Sequence, residues 1–158
     1  MTVAILLSND TKTEKNLKIN ELLEAMMEKI LKAGLTARIT HKVTEQDTAA
    51  NVGSGEVQVY ATPKMLALME KAAYTAVADV LPEGSTTVGT HLDASHLAAT
   101  PVGMEVYATA ELIEVDRKKL TYLVEAYDKK DCIGKGTHTR FIVDSIRFNE
   151  KAQEKLQK

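Results

Sequence analysis

Residues Val57 to Thr100 read VQVYATPKMLALMEKAAYTAVADVLPEGSTTVGTHLDASHLAAT, and the architecture follows from them. A short apolar run, Val57 to Tyr60, leads into Thr62-Pro63. Thr62 has the hydroxyl expected of an N-cap, and Pro63 suits the first helical position, where its missing N–H costs nothing. From Met65 to Leu81 the residues are apolar almost all round: Met65, Leu66, Leu68, Met69, Ala72, Ala73, Ala76, Val77, Val80 and Leu81. A helix apolar on every side is enclosed, here by a sheet. Glu70 is the anomaly, because a buried carboxylate is costly unless paired, and its pKa is then open to tuning. The other reading makes Glu70 and Lys71 one exposed stripe.

Moving towards the C-terminus, Pro82-Glu83-Gly84-Ser85 is a turn and a long strand is expected from about Thr86 to Ala98. Pro101 ends it. Met104, Val106, Ala108, Ala110 and Leu112 then alternate with polar or half-polar neighbours, as do Leu120, Tyr122, Val124 and Ala126. Asp116-Arg117-Lys118 and Asp128 to Asp131 are the intervening turns, so three strands at hairpin spacing form an antiparallel meander. The last strand, Cys132 to Val143, carries Gly134 and Gly136 on the face of His138 and Arg140, which permits close approach of another element, here the central helix. Asn149 to Gln157 reads as a polar terminal helix.

Towards the N-terminus, Leu35, Ala37, Ile39, His41 and Val43 form a half-buried strand. Thr44-Glu45-Gln46-Asp47 resembles a helix start, so a short helix is expected to about Val52. Gly53-Ser54-Gly55 breaks the chain; it lacks the Gly-Lys-Ser/Thr ending of a phosphate loop. Residues 1–34 form an extension. In it Ile19, Leu22, Leu23, Met26, Met27, Ile30 and Leu31 recur at helical spacing before Gly34, for packing on the domain or on a partner subunit. The organisation is thus an extension (1–34), a main domain (35–148) and a tail (149–158). The class is α+β: a long central helix wrapped by a curved antiparallel sheet, with an extra N-terminal helix. One sheet covers only part of such a helix, so a homodimer through sheet edges is expected.

Composition narrows function. The 158 residues suit one domain with a substantial core, and a formal net charge of -2 argues against an electrostatic nucleic-acid binder. No apolar run reaches membrane-spanning length, and Val3 to Leu7, with no basic residue before it, makes a poor signal peptide. The single Cys132 excludes a disulfide framework within the chain and a CxxC zinc site. A reduced, cytoplasmic setting is expected, with Cys132 as a half-buried strand residue. The histidines are His41, His91, His96 and His138. His91 and His96 are an odd number of residues apart on one strand, so in a regular strand they face opposite ways and share a metal only if a bulge intervenes. No metal motif is present, and none is expected.

Several blocks go further: Thr62-Pro63 to Glu70; Val88-Gly89-Thr90; Ser95-His96-Leu97-Ala98-Ala99-Thr100-Pro101-Val102-Gly103-Met104; and Gly136-Thr137-His138-Thr139-Arg140-Phe141. Together they resemble the fluoroacetyl-CoA thioesterase-like family of hot-dog-fold proteins, over about Leu35 to Phe148. The resemblance implies an acyl-CoA thioesterase working as a dimer with sites at the subunit interface. Coenzyme A enters as part of the substrate and no other cofactor is implied. The matching catalytic residues are Thr62, Glu70 and His96. Gly89 matches the glycine beside the bound acyl thioester, and Arg140 the last-strand arginine, which binds a coenzyme A phosphate, braces Glu70, or is a structural ion pair.

Those residue types suit thioester hydrolysis. It needs a nucleophile, a proton acceptor and donors for the developing oxyanion. His96 is a general base near neutral pH, Glu70 orients it, activates water or attacks, and Thr62 attacks or holds the water. Backbone N–H groups near Gly89 or at the helix start can hold the oxyanion. One departure stands out. Gly53-Ser54-Gly55-Glu56, before the helix, has no Phe, and Val59 to Thr62 keeps only Tyr60 as an aromatic for the acyl pocket. The expectation is therefore hydrolysis of a short-chain acyl-CoA rather than fluoroacetyl selectivity. The alternatives are a non-catalytic acyl-CoA-binding module and a structural or interaction domain.

Overall fold

A computed structural model of the chain describes residues 12–157. Val3 to Leu7 lies outside the described residues. The elements run α1 (Lys12–Ile30), β1 (Thr36–Lys42), a 3-10 turn (Glu45–Asp47), α2 (Ala49–Val52), α3 (Thr62–Ala78), β2 (Ser85–His96), β3 (Glu105–Asp116), β4 (Lys119–Tyr127), β5 (Cys132–Asp144), α4 (Ser145–Gln153) and a closing 3-10 turn (Glu154–Gln157). One five-stranded sheet has the order β1-β3-β4-β5-β2, and every neighbouring pair is antiparallel. The meander β3-β4-β5 is its middle, and β1 and β2 are its edges.

Alternation along the strands puts Val106, Ala108, Ala110 and Leu112 of β3 and Leu120, Tyr122, Val124 and Ala126 of β4 on the buried face. Against them α3 buries Met65, Leu68, Met69, Ala72, Ala73 and Val77. Gly134 of β5 does what its missing side chain allows. A Cβ there would lie 2.5 Å from Met65 Sδ and 3.1 Å from Met69 Cε, so the helix sits where a side chain would otherwise be. Gly136 does not serve the helix. Its missing Cβ makes room for the Asp93–Ala94 backbone of the adjacent β2.

The expected short helix after Thr44 is divided. The Asp47 carboxylate accepts from both the backbone N–H and the hydroxyl of Thr44, tightening the first turn to 3-10. Thr48 then starts α2 afresh by accepting from Asn51 N. The terminal helix begins earlier than polarity indicates, because the Asp144 carboxylate caps it at Arg147 N, 2.8 Å away. In α1 the apolar residues Ile19 (53% exposed), Leu22 (65%) and Met26 (58%) face outward. Leu31, just beyond it, is 3% exposed and belongs to the core.

Candidate active site

Thr62 does not cap α3. It is the first helical residue, the N-cap position is Ala61, and Pro63 is the second helical residue, one place later than expected. The hydroxyl is engaged elsewhere: Thr62 Oγ1 lies 2.7 Å from His96 Nδ1. The chain brings the two together by stapling the segment after β2 to the segment before α3. Tyr60 N donates to Thr100 O (2.9 Å), and Val59 bridges Pro101. His96, the last residue of β2, is thereby carried to the positive end of the long helix. A cleft of about 410 Å³ opens here, lined in part by Tyr60, Thr62, His96 and Ala98.

Burial pushes the His96 pKa down, with a backbone bond to Ala98 acting the other way. The imidazole is therefore neutral at neutral pH, as a proton acceptor must be. Its Nε2 is buried and has no hydrogen-bond partner among the described residues. Tyr60 borders the same cleft, but its ring is 2% exposed and packs in the core. Burial, with the charge of Asp47 added, pushes its phenol pKa up, so it stays a neutral hydroxyl.

Glu70 lies eight residues along the same helix, about 12 Å from Thr62 at the usual rise. Within one copy it does not meet His96. Its side chain is 46% exposed, between the buried and the exposed readings, and it faces β5 rather than the end of β2. Glu70 Oε1 is 3.9 Å from Arg140 Nη1 and 3.9 Å from His138 Nε2. A Cβ on Gly89 would fall 2.5 Å from that oxygen, so the carboxylate rests against the bare backbone of β2. The β2–β5 register shifts between Gly89 and His91, a bulge at the same point.

Arg140 is held from two sides. Its Nε donates to Thr87 Oγ1 (2.8 Å) and its Nη2 to Thr87 O (2.7 Å). Its side chain is only 9% exposed. Burial lowers its pKa and the Glu70 charge opposes this. The guanidinium is fixed by Thr87 with its Nη1 towards Glu70, and it also lines the cleft beside that carboxylate. Glu70, Lys71, Tyr74, Thr87, Gly89 and Arg140 line a second cleft of about 390 Å³.

Two groups to which the sequence assigns no role stand out. His138 is 1% exposed and makes two polar contacts behind Glu70. Its place on the glycine face of the last strand was the available signal. Asp47 accepts from His41 Nε2 at 2.7 Å and is reached by Lys64 Nζ at 3.5 Å. Burial pushes its carboxyl up, but the hydrogen bonds from His41 and Thr44 outweigh this and leave the pKa at about 2. Among the described residues no three His, Cys, Asp or Glu side chains cluster as a metal site would require.

A long helix laid on a five-stranded antiparallel sheet, with a Thr–His pair at the helix start, defines a hot-dog-fold thioesterase. Solved structures agree. A mutant of the fluoroacetyl-CoA-specific thioesterase FlK superposes with a TM-score of 0.74 at 34% identity, covering 78% of this chain and 96% of that one. A threonine-to-serine mutant of the same enzyme in complex with acetyl-CoA gives 0.75 at 33%, over 78% and 98%. A thioesterase superfamily member from Thermus thermophilus gives 0.74 at 28%, over 80% and 93%. The fluoroacetyl-CoA thioesterase of Streptantibioticus cattleyicolor is 42% identical over 98 residues, 62% of this chain and 70% of that protein. Residues 43–146 match the family described as fluoroacetyl-CoA-specific thioesterase, FlK, and the chain belongs to that family.

Proposed function

We propose that the protein hydrolyses a short-chain acyl-CoA, such as acetyl- or propionyl-CoA, to the free acid and coenzyme A. We assign the work to a homodimer in which Thr62 and His96 of one copy meet Glu70 of the other. The observation that carries the reading is the 2.7 Å contact between Thr62 Oγ1 and a neutral His96 Nδ1. The Thr62 hydroxyl is a weak nucleophile until a base is adjacent, and here one is. As Thr62 Oγ1 bonds to the thioester carbonyl carbon, its proton passes to Nδ1. The C–S bond then breaks, and the proton leaves with the thiol. Water, activated by the same imidazole, returns Thr62 and releases the acid. The N-terminal end of α3 favours the oxyanion of both tetrahedral intermediates.

Two features support a second copy. Thr62 and Glu70 of one copy stand about 12 Å apart along α3, so a carboxylate serving the Thr62–His96 pair comes from another copy. Glu70 is half exposed on the side of the edge strand β2, whose unpaired backbone invites another β2. Coenzyme A enters with the substrate; no further cofactor, nucleic acid or membrane takes part. No described helix is long and apolar enough to cross a bilayer, and a cytoplasmic setting suits the free Cys132 thiol. The segment Gly53–Glu56 carries no aromatic side chain, which favours an unfluorinated substrate.

The test is release of free thiol across acyl-CoAs of increasing length. His96→Ala and Glu70→Ala should each lower kcat by about 10²–10⁴-fold, with the melting transition retained. Activity that survives both substitutions refutes the assignment, and tight acyl-CoA binding without turnover selects a binding module instead.

A further inference from the structure

Behind Glu70 lies an imidazole that the proposed reaction never touches. His138 Nδ1 is 2.7 Å from the carbonyl oxygen of His91 on β2. A carbonyl only accepts, so Nδ1 carries the hydrogen and donates. That leaves a lone pair on Nε2, which faces Arg140 Nη1 at 3.1 Å. A guanidinium only donates, so both ends of the ring agree on one neutral tautomer. Burial disfavours the charged ring, and the neighbouring Arg140 charge works the same way against the pull of the His91 carbonyl and Glu70.

In that state His138 offers Glu70 no proton, although Nε2 and Oε1 are 3.9 Å apart. The partner of the carboxylate is therefore Arg140, with Nη1 also 3.9 Å from Oε1. Thr87 anchors Nε and Nη2 of the same guanidinium. Nη1 is thus held by His138 through one N–H and has the other for Glu70. Gly89 completes the seat, since a Cβ there would meet Glu70 Oε1, His138 Cε1 and Arg140 Nη1 together.

We infer that His138 is a positioning residue: the fixed lone pair of its Nε2 aims Arg140 at Glu70 and so sets where the carboxylate stands for the reaction. The inference rests on the catalytic role proposed for Glu70. Two substitutions separate the two ends of the ring. His138→Gln places an amide oxygen near the former Nε2, keeping an acceptor for Arg140 and losing the donor to His91. His138→Asn keeps a donor for His91 but stops short of Arg140. Kinetics on acetyl-CoA should give kcat for His138→Gln within about threefold of wild type, and for His138→Asn lower by about tenfold or more, with KM little changed in both.

The decisive measurement is the double-mutant cycle with Glu70→Gln. On that background His138→Asn should have no further effect on kcat. An undiminished tenfold loss there, or His138→Asn more active than His138→Gln, overturns the positioning role. If Glu70→Gln alone leaves kcat unchanged, it is the catalytic assignment of Glu70 that has failed. Should His138→Asn not fold, Arg140→Lys replaces it in the cycle, since it removes Nη1 and leaves the imidazole on its carbonyl. It too should lose its effect once Glu70 is gone, and an undiminished effect again overturns the inference.

Discussion

The two long helices, α1 and α3, begin from similar patterns and end in opposite surroundings. Both repeat apolar residues at helical spacing. In α3 those residues meet a sheet, and Met65, Met69, Ala72, Ala73 and Val77 have no exposed surface. In α1, Leu17, Ile19, Leu22 and Met26 are each more than half exposed. The difference lies in the covering element, not in the helix. Strand β5 supplies Gly134 where Met65 must enter, while between Glu24 of α1 and Ile113 and Phe141 of the sheet an open cleft remains. Periodicity states that a face needs covering; only the partner's own sequence states whether cover is present.

The contrast can be pressed at several points. The largest effect should come from the well-covered helix. Met69→Ala, at a fully buried position, should lower the unfolding free energy by about 2–5 kcal/mol in urea titration. Asp47→Asn, just ahead of α3, should cost about 2 kcal/mol at pH 7. The folded pKa is depressed from 3.8 to about 2, so this stabilisation is complete above about pH 4 and disappears as the pH falls towards 2. Melting of both proteins at pH 7 and pH 2.5 should show the gap close. At the reactive end of α3, kcat/KM should fall on the acid side about tenfold per pH unit, with a midpoint below the 6.5 of free imidazole, because burial disfavours charged His96. The smallest effect should be in α1. Leu22→Ser, at an exposed site, should change stability by less than about 0.5 kcal/mol. A substantial loss of melting temperature there would mean that α1 is covered in solution.

Much of this was legible beforehand. The enclosed helix, the strand alternation and the meander follow from periodicity, since periods of 3.6 and 2 are written into the order of apolar residues. The pairing of Thr62 with His96 was available only through family resemblance, because 34 residues separate them and no local rule joins them. For Thr62 the sequence predicts a cap, since it shows a hydroxyl at the right place but not its competing partner. Glu70 was found as an anomaly without its partners, because Arg140 and His138 reach it through tertiary contacts. The His138 lock depends on a carbonyl of β2, and backbone acceptors carry no residue signature.

The occupied hydroxyl of Thr62 leaves Ala61, which has no side-chain acceptor, at the mouth of α3. Ordinary proteins seal such a mouth with Ser, Asp or Asn and gain about 1 kcal/mol. In the opening turn here Pro63 has no N–H, and the N–H groups of Lys64 and Met65 donate to Ala61 O, so among the described residues the Thr62 amide is the one left for a visiting anion. A designer who wrote Asp at residue 61 to seal the helix would bury a carboxylate at a position 1% exposed, with the Thr62 amide as its one free donor and the substrate's oxygen as its competitor. Heat tolerance and turnover would then fall together from one side chain.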